Sequence, residues 1–230
     1  MRFCWNCGMK WLTLDVGNTS VDACVFDGRE LVYLGKFSHQ ELGELAKRYE
    51  NILASCVKPS VQNQIAKAFL FKPEDVPIKT AFEGKEKVGI DRLLNLYGAL
   101  EFYADTCLLV SAGTALVADV LVDGVFEGGF ITLGLGARLR CLHERAELIP
   151  LFPLESVDVP LGKDTRSALL GGLKKEVFYY LEGLLRELRE NYKRDFKVIL
   201  TGGDGWFLKD FGVYDPLLIH RAMLRLKRLL

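Results

Sequence analysis

Apolar residues along the chain follow two spacings, and these spacings predict the secondary structure. Short apolar runs bounded by Gly, Asn, Asp or Pro are typical of strands, and apolar residues three and four positions apart are typical of helices. Strands are predicted at 10–17, 20–27, 30–37, 51–57, 76–82, 106–112, 115–122, 125–132 and 196–201. Helices are predicted at 40–49, 60–71, 93–103, 134–145, 165–192 and 215–229. Strands and helices interspersed in this way indicate an α/β fold.

One part of the pattern occurs twice. "LTLDVGNTSVDACVFDG" superposes on "LLVSAGTALVADVLVDG", so that Gly17 matches Gly113 and Asp27-Gly28 matches Asp123-Gly124, each with an offset of 96 residues. Each copy reads as a three-strand meander followed by helices, which indicates a duplicated α/β unit. We therefore expect a first domain at 9–104 and a second at 105–230, preceded by a poorly ordered leader at 1–8.

Composition narrows the classes of function. The 230 residues include 30 basic and 30 acidic side chains, so net charge gives no argument for nucleic acid or an anionic membrane as a partner. No apolar run approaches the ~20 residues that span a bilayer. Six cysteines in a chain of this length do not indicate a disulfide framework, which favours a reducing, cytoplasmic setting. Cys4 and Cys7 could be half of a zinc site or a redox pair, but no second pair follows at ligand spacing, which favours a plain leader.

The carboxylate of Asp15 stands at the end of an apolar strand, directly before the turn at Gly17. A carboxylate in such a strand is unfavourable unless it is paired or bound to a metal ion. The turn exposes backbone N–H groups, and two such turns in duplicated domains could hold a polyphosphate. Asp15 could then hold Mg²⁺ through water, because Mg²⁺ prefers few carboxylates together with substrate oxygens. A plain hairpin, in which Asp15 caps its own turn, remains the alternative.

Three further motifs carry candidate chemistry. In "GIDR", Asp91 could accept a proton from a substrate hydroxyl, or could simply cap a helix, and Arg92 could bind a carboxylate through two parallel contacts. Glu127-Gly128-Gly129-Phe130 places a glycine pair in a strand. Thr201-Gly202-Gly203 follows an apolar strand and predicts a close backbone approach there.

Taken together, these motifs resemble type III pantothenate kinases, also called the Bvg accessory factor family. The resemblance covers residues 9 to about 210 and rests on "DVGNTSVD", "GIDR", "SAGTALVADV", "GVFEGGFITLGL", "ELIPLF", "GKDTRSALLGG" and "TGGDG". It implies an actin/hexokinase/Hsp70-like fold, in which two duplicated ribonuclease-H-like domains with mixed sheets enclose ATP in an interdomain cleft. It also implies transfer of the γ-phosphoryl group of ATP to the terminal hydroxyl of pantothenate, the first step of coenzyme A synthesis.

The resemblance assigns roles to particular residues. Asp91 is the expected proton acceptor, and Arg92 is expected near the carboxylate of pantothenate. The expected ATP-binding residues are Asp15, Val16, Gly17, Asn18, Thr19, Ser20, Val21, Asp22 and Thr114. The expected pantothenate-binding residues are Phe82, Gly89, Ile90, Asp91, Arg92 and Thr165. Family members also use Mg²⁺ with ATP, need a monovalent cation such as K⁺ or NH₄⁺, and form homodimers.

The sequence departs from the family pattern at three positions. Ser111 replaces the aspartate that binds the monovalent cation, and a neutral hydroxyl is a weaker ligand for a hard cation than a carboxylate. A weak or absent cation response is therefore expected. Phe82 replaces a common tyrosine, which removes a hydroxyl contact, and Leu133 replaces a proline.

Two other functions fit parts of the same pattern. One is a kinase for another small alcohol or a sugar in the same superfamily, against which "GIDR" argues. The other is a degenerate family member that binds nucleotide and acts as a regulatory protein, to which Ser111 points. The presence of Asp15, Asp91 and Arg92 favours the enzyme.

Overall fold

The computed structural model describes residues 10–230, so the predicted leader and its Cys4/Cys7 pair lie outside the described residues. The strands are β1 (Trp11–Val16), β2 (Val21–Phe26), β3 (Leu31–Phe37), β4 (Asn51–Cys56), β5 (Phe69–Leu70), β6 (Lys79–Thr80), β7 (Cys107–Ala112), β8 (Ala115–Val122), β9 (Val125–Leu133), β10 (Lys197–Thr201) and β11 (Val213–Tyr214). The α-helices are α1 (Leu42–Lys47), α2 (Ile90–Phe102), α3 (Leu135–Arg145), α4 (Thr165–Tyr192) and α5 (Leu218–Leu226). None of the helices in this part of the chain is long and apolar enough to cross a membrane.

Two stretches differ from the sequence prediction. The prediction of a helix at 60–71 is wrong. A 3-10 helix spans Pro59–Ile65 and is followed by β5, which pairs in parallel with β4. The four-residue spacing of Val61, Ile65 and Phe69 imitated a helix, but the sheet hydrogen bonds determine the structure at Phe69. The strand predicted at 76–82 shrinks to Lys79–Thr80, because Pro77 has no N–H to donate.

Each of two compact units contains one sheet. The first unit contains the residues up to Ile78, Glu83–Gly98 and Leu217–Leu230, and the second contains Lys79–Phe82 and Ala99–Pro216. These units are not the contiguous segments 9–104 and 105–230, because the C-terminal helix α5 packs on β1 and β4 of the first unit. An apolar helix face carries no signal in its own sequence for which sheet it will cover.

The strand order confirms the duplication. The first sheet has the order β3-β2-β1-β4-β5, and the second has β11-β10-β7-β8-β9-β6. Apart from β6, the second sheet read backwards repeats the first, with an antiparallel meander followed by two parallel strands. The two predicted α/β units therefore share one topology.

Alternation along β1 creates two different faces of the first sheet. Leu12, Leu14 and Val16 join the apolar core that α1 and the 3-10 helix also line. Thr13 and Asp15, one position out of phase, therefore point to the opposite face. The second unit buries its own core between its sheet and α3 and α4, whose leucines recur at helical spacing.

A buried hydrogen bond links α5 to this polar face of the first sheet. Nδ1 of His220 lies 2.8 Å from Oγ1 of Thr13, and the His220 side chain is buried. Burial lowers the pKa of His220 from 6.5 to about 4, so its ring is neutral in the folded protein near pH 7. The unfolded chain binds a proton at this histidine at a higher pH than the folded chain does.

This difference predicts that the protein loses stability in acid. As the pH falls from 6.5 towards about 4, the unfolded state gains a proton at His220 that the folded state does not. The free energy of unfolding should then fall by up to about 1.4 kcal/mol per pH unit from this group alone. His220→Gln should reduce that slope in urea unfolding measured at several pH values, whereas His143→Gln, which changes an exposed histidine, should retain it. Equal slopes for wild type and His220→Gln would contradict the assignment.

Candidate active site

The Asp15 carboxylate is the most perturbed acid of the first unit. It is the fifth residue of β1 and pairs with Asp22 on β2 and with Ser55 on β4. Its Oδ1 is buried and has no hydrogen-bond partner among residues 10–230. Burial raises the pKa of Asp15 to about 7, and the charges of Asp91 and Asp22 add to the rise, while Ser55 and Lys36 act in the opposite direction. Asp15 is therefore poised to take up a proton or a cation near neutral pH.

The turn after β1 is compact and exposed. The N–H of Gly17 donates to the carbonyl of Ser20 at 3.0 Å, and the side chains of Asn18 and Thr19 are exposed. Val16 and Val21, which flank the turn, are fully buried in the core. Those two residues can therefore offer a ligand only their backbone groups.

Asp22, on the strand leaving the turn, already has partners. It accepts a hydrogen bond from the Tyr33 hydroxyl at 2.7 Å, and Lys36 lies 3.9 Å away as an ion pair. Its charge is thus partly balanced within the unit. Asp15 and Asp22 face each other across β1 and β2 with very different electrostatic surroundings.

Two residues that the sequence reasoning did not select contact the turn directly. Nε2 of His39 lies 2.9 Å from the carbonyl of Gly17, and Nζ of Lys58 lies 3.2 Å from the carbonyl of Asn18. Nζ of Lys58 is also 3.4 Å from Nδ1 of His39. Neither residue belongs to a recognisable motif, and the only available signal was that Lys58 closes the strand beside β1.

The "GIDR" motif opens helix α2, and its carboxylate folds back over the glycine. A Cβ on Gly89 would lie 2.6 Å from Oδ1 of Asp91, so a side chain there would displace the carboxylate. Burial raises the pKa of Asp91, against the opposing effects of the Arg92 backbone N–H and side-chain charge. Ile90 is buried, and the N–H of Arg92 donates to the carbonyl of Gly89 at 3.1 Å. The motif thus places a carboxylate, Asp91, next to a guanidinium, Arg92, at the start of the helix.

Buried oxygens without donors collect in the same unit. Besides Oδ1 of Asp15, they are Oδ1 of Asn95 and Oγ of Ser55. The Ser55 hydroxyl lies close enough to Asp15 to lower its pKa, but the two side chains do not form a well-aligned hydrogen bond. Asn95 lies one helical turn after Asp91, on the same face of α2. Each such group costs free energy unless a donor, a cation or water satisfies it. The first unit therefore contains buried polar groups that its own side chains leave unsatisfied, and Asp15 is one of them.

The equivalent turn of the second unit is held by backbone contacts. Ser111, the fifth residue of β7, pairs with Thr201 as Asp15 pairs with Ser55. Gly202 has a φ of 85°, and a Cβ there would overlap the carbonyl of Ala112. The backbone does approach closely at this glycine, but the approach is to Ala112 of the same unit, so a nucleotide contact there stays a prediction. Thr114, at the tip of the turn, is exposed.

The remaining expected residues lie in the second unit. Phe82 is 38% exposed and packs edge-on against Phe126, with ring centroids 5.3 Å apart. Thr165 is exposed and begins α4, directly after Asp164, whose side chain caps the helix by accepting from the N–H of Ser167. Phe82 thus offers an exposed ring face, and Thr165 an exposed hydroxyl.

The donor set suits Mg²⁺ bound together with phosphate more than a metal held by protein alone. Within residues 10–230, no group of three or more His, Cys, Asp and Glu side chains could hold a metal ion. Mg²⁺ commonly uses one or two carboxylates and takes its other ligands from water and substrate phosphates. Asp15, with its unpartnered buried oxygen, fits that use. Ser111 offers a monovalent cation only a neutral hydroxyl.

Comparison with proteins of known structure identifies the fold. A Baf family protein from Campylobacter jejuni matches with a TM-score of 0.69 at 22% identity, covering 94% of this chain and 97% of that one. A second match is the ethanolamine utilization protein EutJ from Carboxydothermus hydrogenoformans, with a TM-score of 0.54 at 13% identity, covering 94% and 89% of the two chains. The expectation of an actin/hexokinase/Hsp70-like fold is confirmed.

Comparison of sequences identifies the family. The type III pantothenate kinase model matches residues 11–187. The type III pantothenate kinase of Aquifex aeolicus is 42% identical over 221 residues, which are 94% of this chain and 96% of the relative. Together with the unpartnered Asp15 carboxylate oxygen and the "GIDR" helix start, these matches show that the chain belongs to the type III pantothenate kinase family.

Proposed function

We propose that the protein transfers the γ-phosphoryl group of ATP to the terminal hydroxyl of pantothenate, giving 4'-phosphopantothenate in the first step of coenzyme A synthesis. The observation that carries this proposal is the pair of perturbed carboxylates. The charge of Asp91 raises the pKa of Asp15, so the two carboxylates interact within the first unit. Members of the family named for this reaction match nearly the whole chain.

The turn from Asp15 to Asp22 binds the phosphates of ATP in this proposal, with Thr114 as a further ATP contact. Asn18 is exposed at the tip of the turn, and its backbone N–H would donate to phosphate oxygens. Asp15 would hold Mg²⁺ through water, and the ion would neutralise charge on the phosphates. The unpartnered Oδ1 of Asp15 is the group that gains most from this arrangement.

Asp91 acts as the general base. The oxygen of the pantothenate hydroxyl attacks the γ-phosphorus, the bond from that phosphorus to the bridging oxygen of ADP breaks, and the hydroxyl proton passes to Asp91. Burial favours the protonated form of Asp91, which makes its carboxylate a stronger base than an exposed aspartate.

Pantothenate is proposed to lie against Phe82, Gly89, Ile90, Asp91, Arg92 and Thr165. Arg92 follows the base directly along the helix, and its planar guanidinium can bind the pantothenate carboxylate through two hydrogen bonds. Ile90 is buried, so it supports this site from beneath. The exposed ring of Phe82 offers apolar contact but no hydroxyl.

Three further properties are proposed. A homodimeric state follows from the family, and a cytoplasmic location follows from the six cysteines, which do not indicate a disulfide framework. The absence of nucleic-acid and membrane partners follows from the balanced charge and the lack of a long apolar run. The residues at the second turn do not fit a strongly bound K⁺ or NH₄⁺, because Ser111 and Thr201 provide neutral hydroxyls. No catalytic step is therefore assigned to a monovalent cation.

Asp91→Asn tests the general base. The substitution keeps the shape of the side chain and removes its basicity, so kcat should fall by roughly 10²–10⁴-fold. ATP binding should persist, which shows that the variant is folded. Asp210→Asn, which changes an exposed aspartate, is the matched control and should turn over like wild type. Near-normal turnover by Asp91→Asn would leave Asp91 as a helix cap only.

Asp15→Asn tests whether the Asp15 carboxylate lowers the stability of the folded protein while being required for activity. The raised pKa of Asp15 means that ionisation destabilises the folded state as the pH rises from 3.8 to about 7. Asp15→Asn should therefore raise the free energy of unfolding by about 1–3 kcal/mol at about pH 8, with a smaller gain in acid, while abolishing activity. Asp22→Asn should be destabilising instead, because Asp22 has Tyr33 and Lys36 as partners. A destabilised Asp15→Asn protein at about pH 8 would refute this account.

Ser111→Asp tests the cation site. Wild type should respond weakly or not at all to K⁺ and NH₄⁺, and the substitution should create or sharpen activation because a carboxylate is the stronger ligand. Initial rates should be measured against KCl concentration, with choline chloride holding ionic strength constant. Strong activation of wild type at low K⁺ would show that another group supplies the charge.

A further inference from the structure

We propose that Lys58, oriented by His39, is a phosphate-binding residue of the ATP site. This inference rests on the proposed function, because it takes the turn at Gly17 as the place where phosphates bind. Lys58 and His39 belong to none of the motifs that carry the family resemblance.

The sheet itself brings Lys58 to the turn. Strands β1 and β4 are parallel, so their carboxyl ends meet at one edge of the sheet. The pairing continues past the strand ends, where the N–H of Val57 donates to the carbonyl of Val16 at 3.0 Å. Lys58 follows immediately, and its Nζ donates to the carbonyl of Asn18 at 3.2 Å. The ammonium group therefore contacts the proposed phosphate-binding turn.

The two partners of His39 decide which of its ring nitrogens donates and which accepts. The carbonyl of Gly17 can only accept, so Nε2 of His39 carries a proton and donates to it. The ammonium of Lys58 can only donate, so Nδ1 of His39 is unprotonated and accepts. His39 thus binds the turn with one nitrogen and holds Lys58 with the other. It is a positioning residue for the ammonium group.

Lys58 keeps donor capacity for a ligand. Its ammonium has three N–H groups, of which the contacts to Asn18 and His39 use two, and no other described residue takes the third. Lysine binds phosphate as a compact point charge with rotatable donors. The neighbouring Lys36 is instead paired with Asp22. Lys58 is therefore well placed to meet phosphate oxygens bound at the turn.

A purely structural role explains these contacts less well. The carbonyls that His39 and Lys58 bind lie in a turn whose tip, at Asn18 and Thr19, is exposed, so water could satisfy them at little cost. Lys58 itself is only partly buried. Folding does not require a charged side chain there, whereas a polyphosphate bound at the turn would gain from a cation beside it.

Lys58→Met tests the inference. The affinities of ATP and of inorganic tripolyphosphate are measured by the displacement of a bound fluorescent ATP analogue. Both affinities should fall about 10- to 100-fold, since a hydrogen bond to a charged group contributes about 1.5–3 kcal/mol. The KM for pantothenate and the melting temperature of the ligand-free protein should change little. Lys58→Arg should restore most of the affinity. Lys47→Met, which removes an exposed lysine paired with Glu44, is the matched control and should bind like wild type.

His39→Leu tests the positioning role. Its ATP affinity should fall less than that of Lys58→Met, and adding it to Lys58→Met should cause no further loss, because both changes act on one contact. Additive losses would show that His39 acts on the turn independently of Lys58.

Two results would overturn the inference: unchanged ATP and tripolyphosphate affinity in Lys58→Met, or a lowered melting temperature with no rescue by arginine. A different result would contradict the proposed function. If wild type binds ATP with the help of Lys58 but does not phosphorylate pantothenate, the substrate is wrong and the phosphate contact stands.

Discussion

The buried carboxylate of Asp15 is the constraint on which the first unit depends. An acid at the end of an apolar strand costs free energy, and Asp91 increases that cost by raising the pKa of Asp15 further. Ser55 and Asn95, in the same unit, also have buried oxygens without a hydrogen-bond partner among the described residues. A Mg²⁺ ion bound together with phosphate would offset the cost at Asp15. The proposed site is thus the place where the protein gives up stability, as active sites commonly do.

The duplication gives two similar turns that have diverged in chemistry. At matching positions the first unit has Asp15 beside Ser55 and the second has Ser111 beside Thr201. Both positions can carry polar side chains because each is the fifth residue of a six-residue strand and so lies next to a turn. Charge is retained only in the first copy. The first unit therefore provides the acid groups of the proposed mechanism, and in the second unit the backbone at Gly202 packs against Ala112.

The sequence was informative wherever local pattern decides structure. Alternating apolar residues and glycine turns located the meanders, and the 96-residue offset predicted the shared topology. "GIDR" predicted a helix start with an acid beside a base. Local pattern could not show that α5 returns to the first sheet or that His220 bonds to Thr13, because those contacts join residues far apart in the chain. Lys58 and His39 were missed for the same reason: only strand pairing brings them to Gly17 and Asn18. At 60–71 the apolar spacing was misleading, since pairing with β4 outweighed it.

The most direct test of the central claim is a crystal structure of the protein with a non-hydrolysable ATP analogue, Mg²⁺ and pantothenate. The account predicts phosphate oxygens on the turn from Gly17 to Ser20 and the metal ion beside Asp15. It also predicts the pantothenate hydroxyl within ~2.6–3.2 Å of the Asp91 carboxylate. Phosphates bound away from that turn, or a pantothenate hydroxyl out of reach of Asp91, would contradict it.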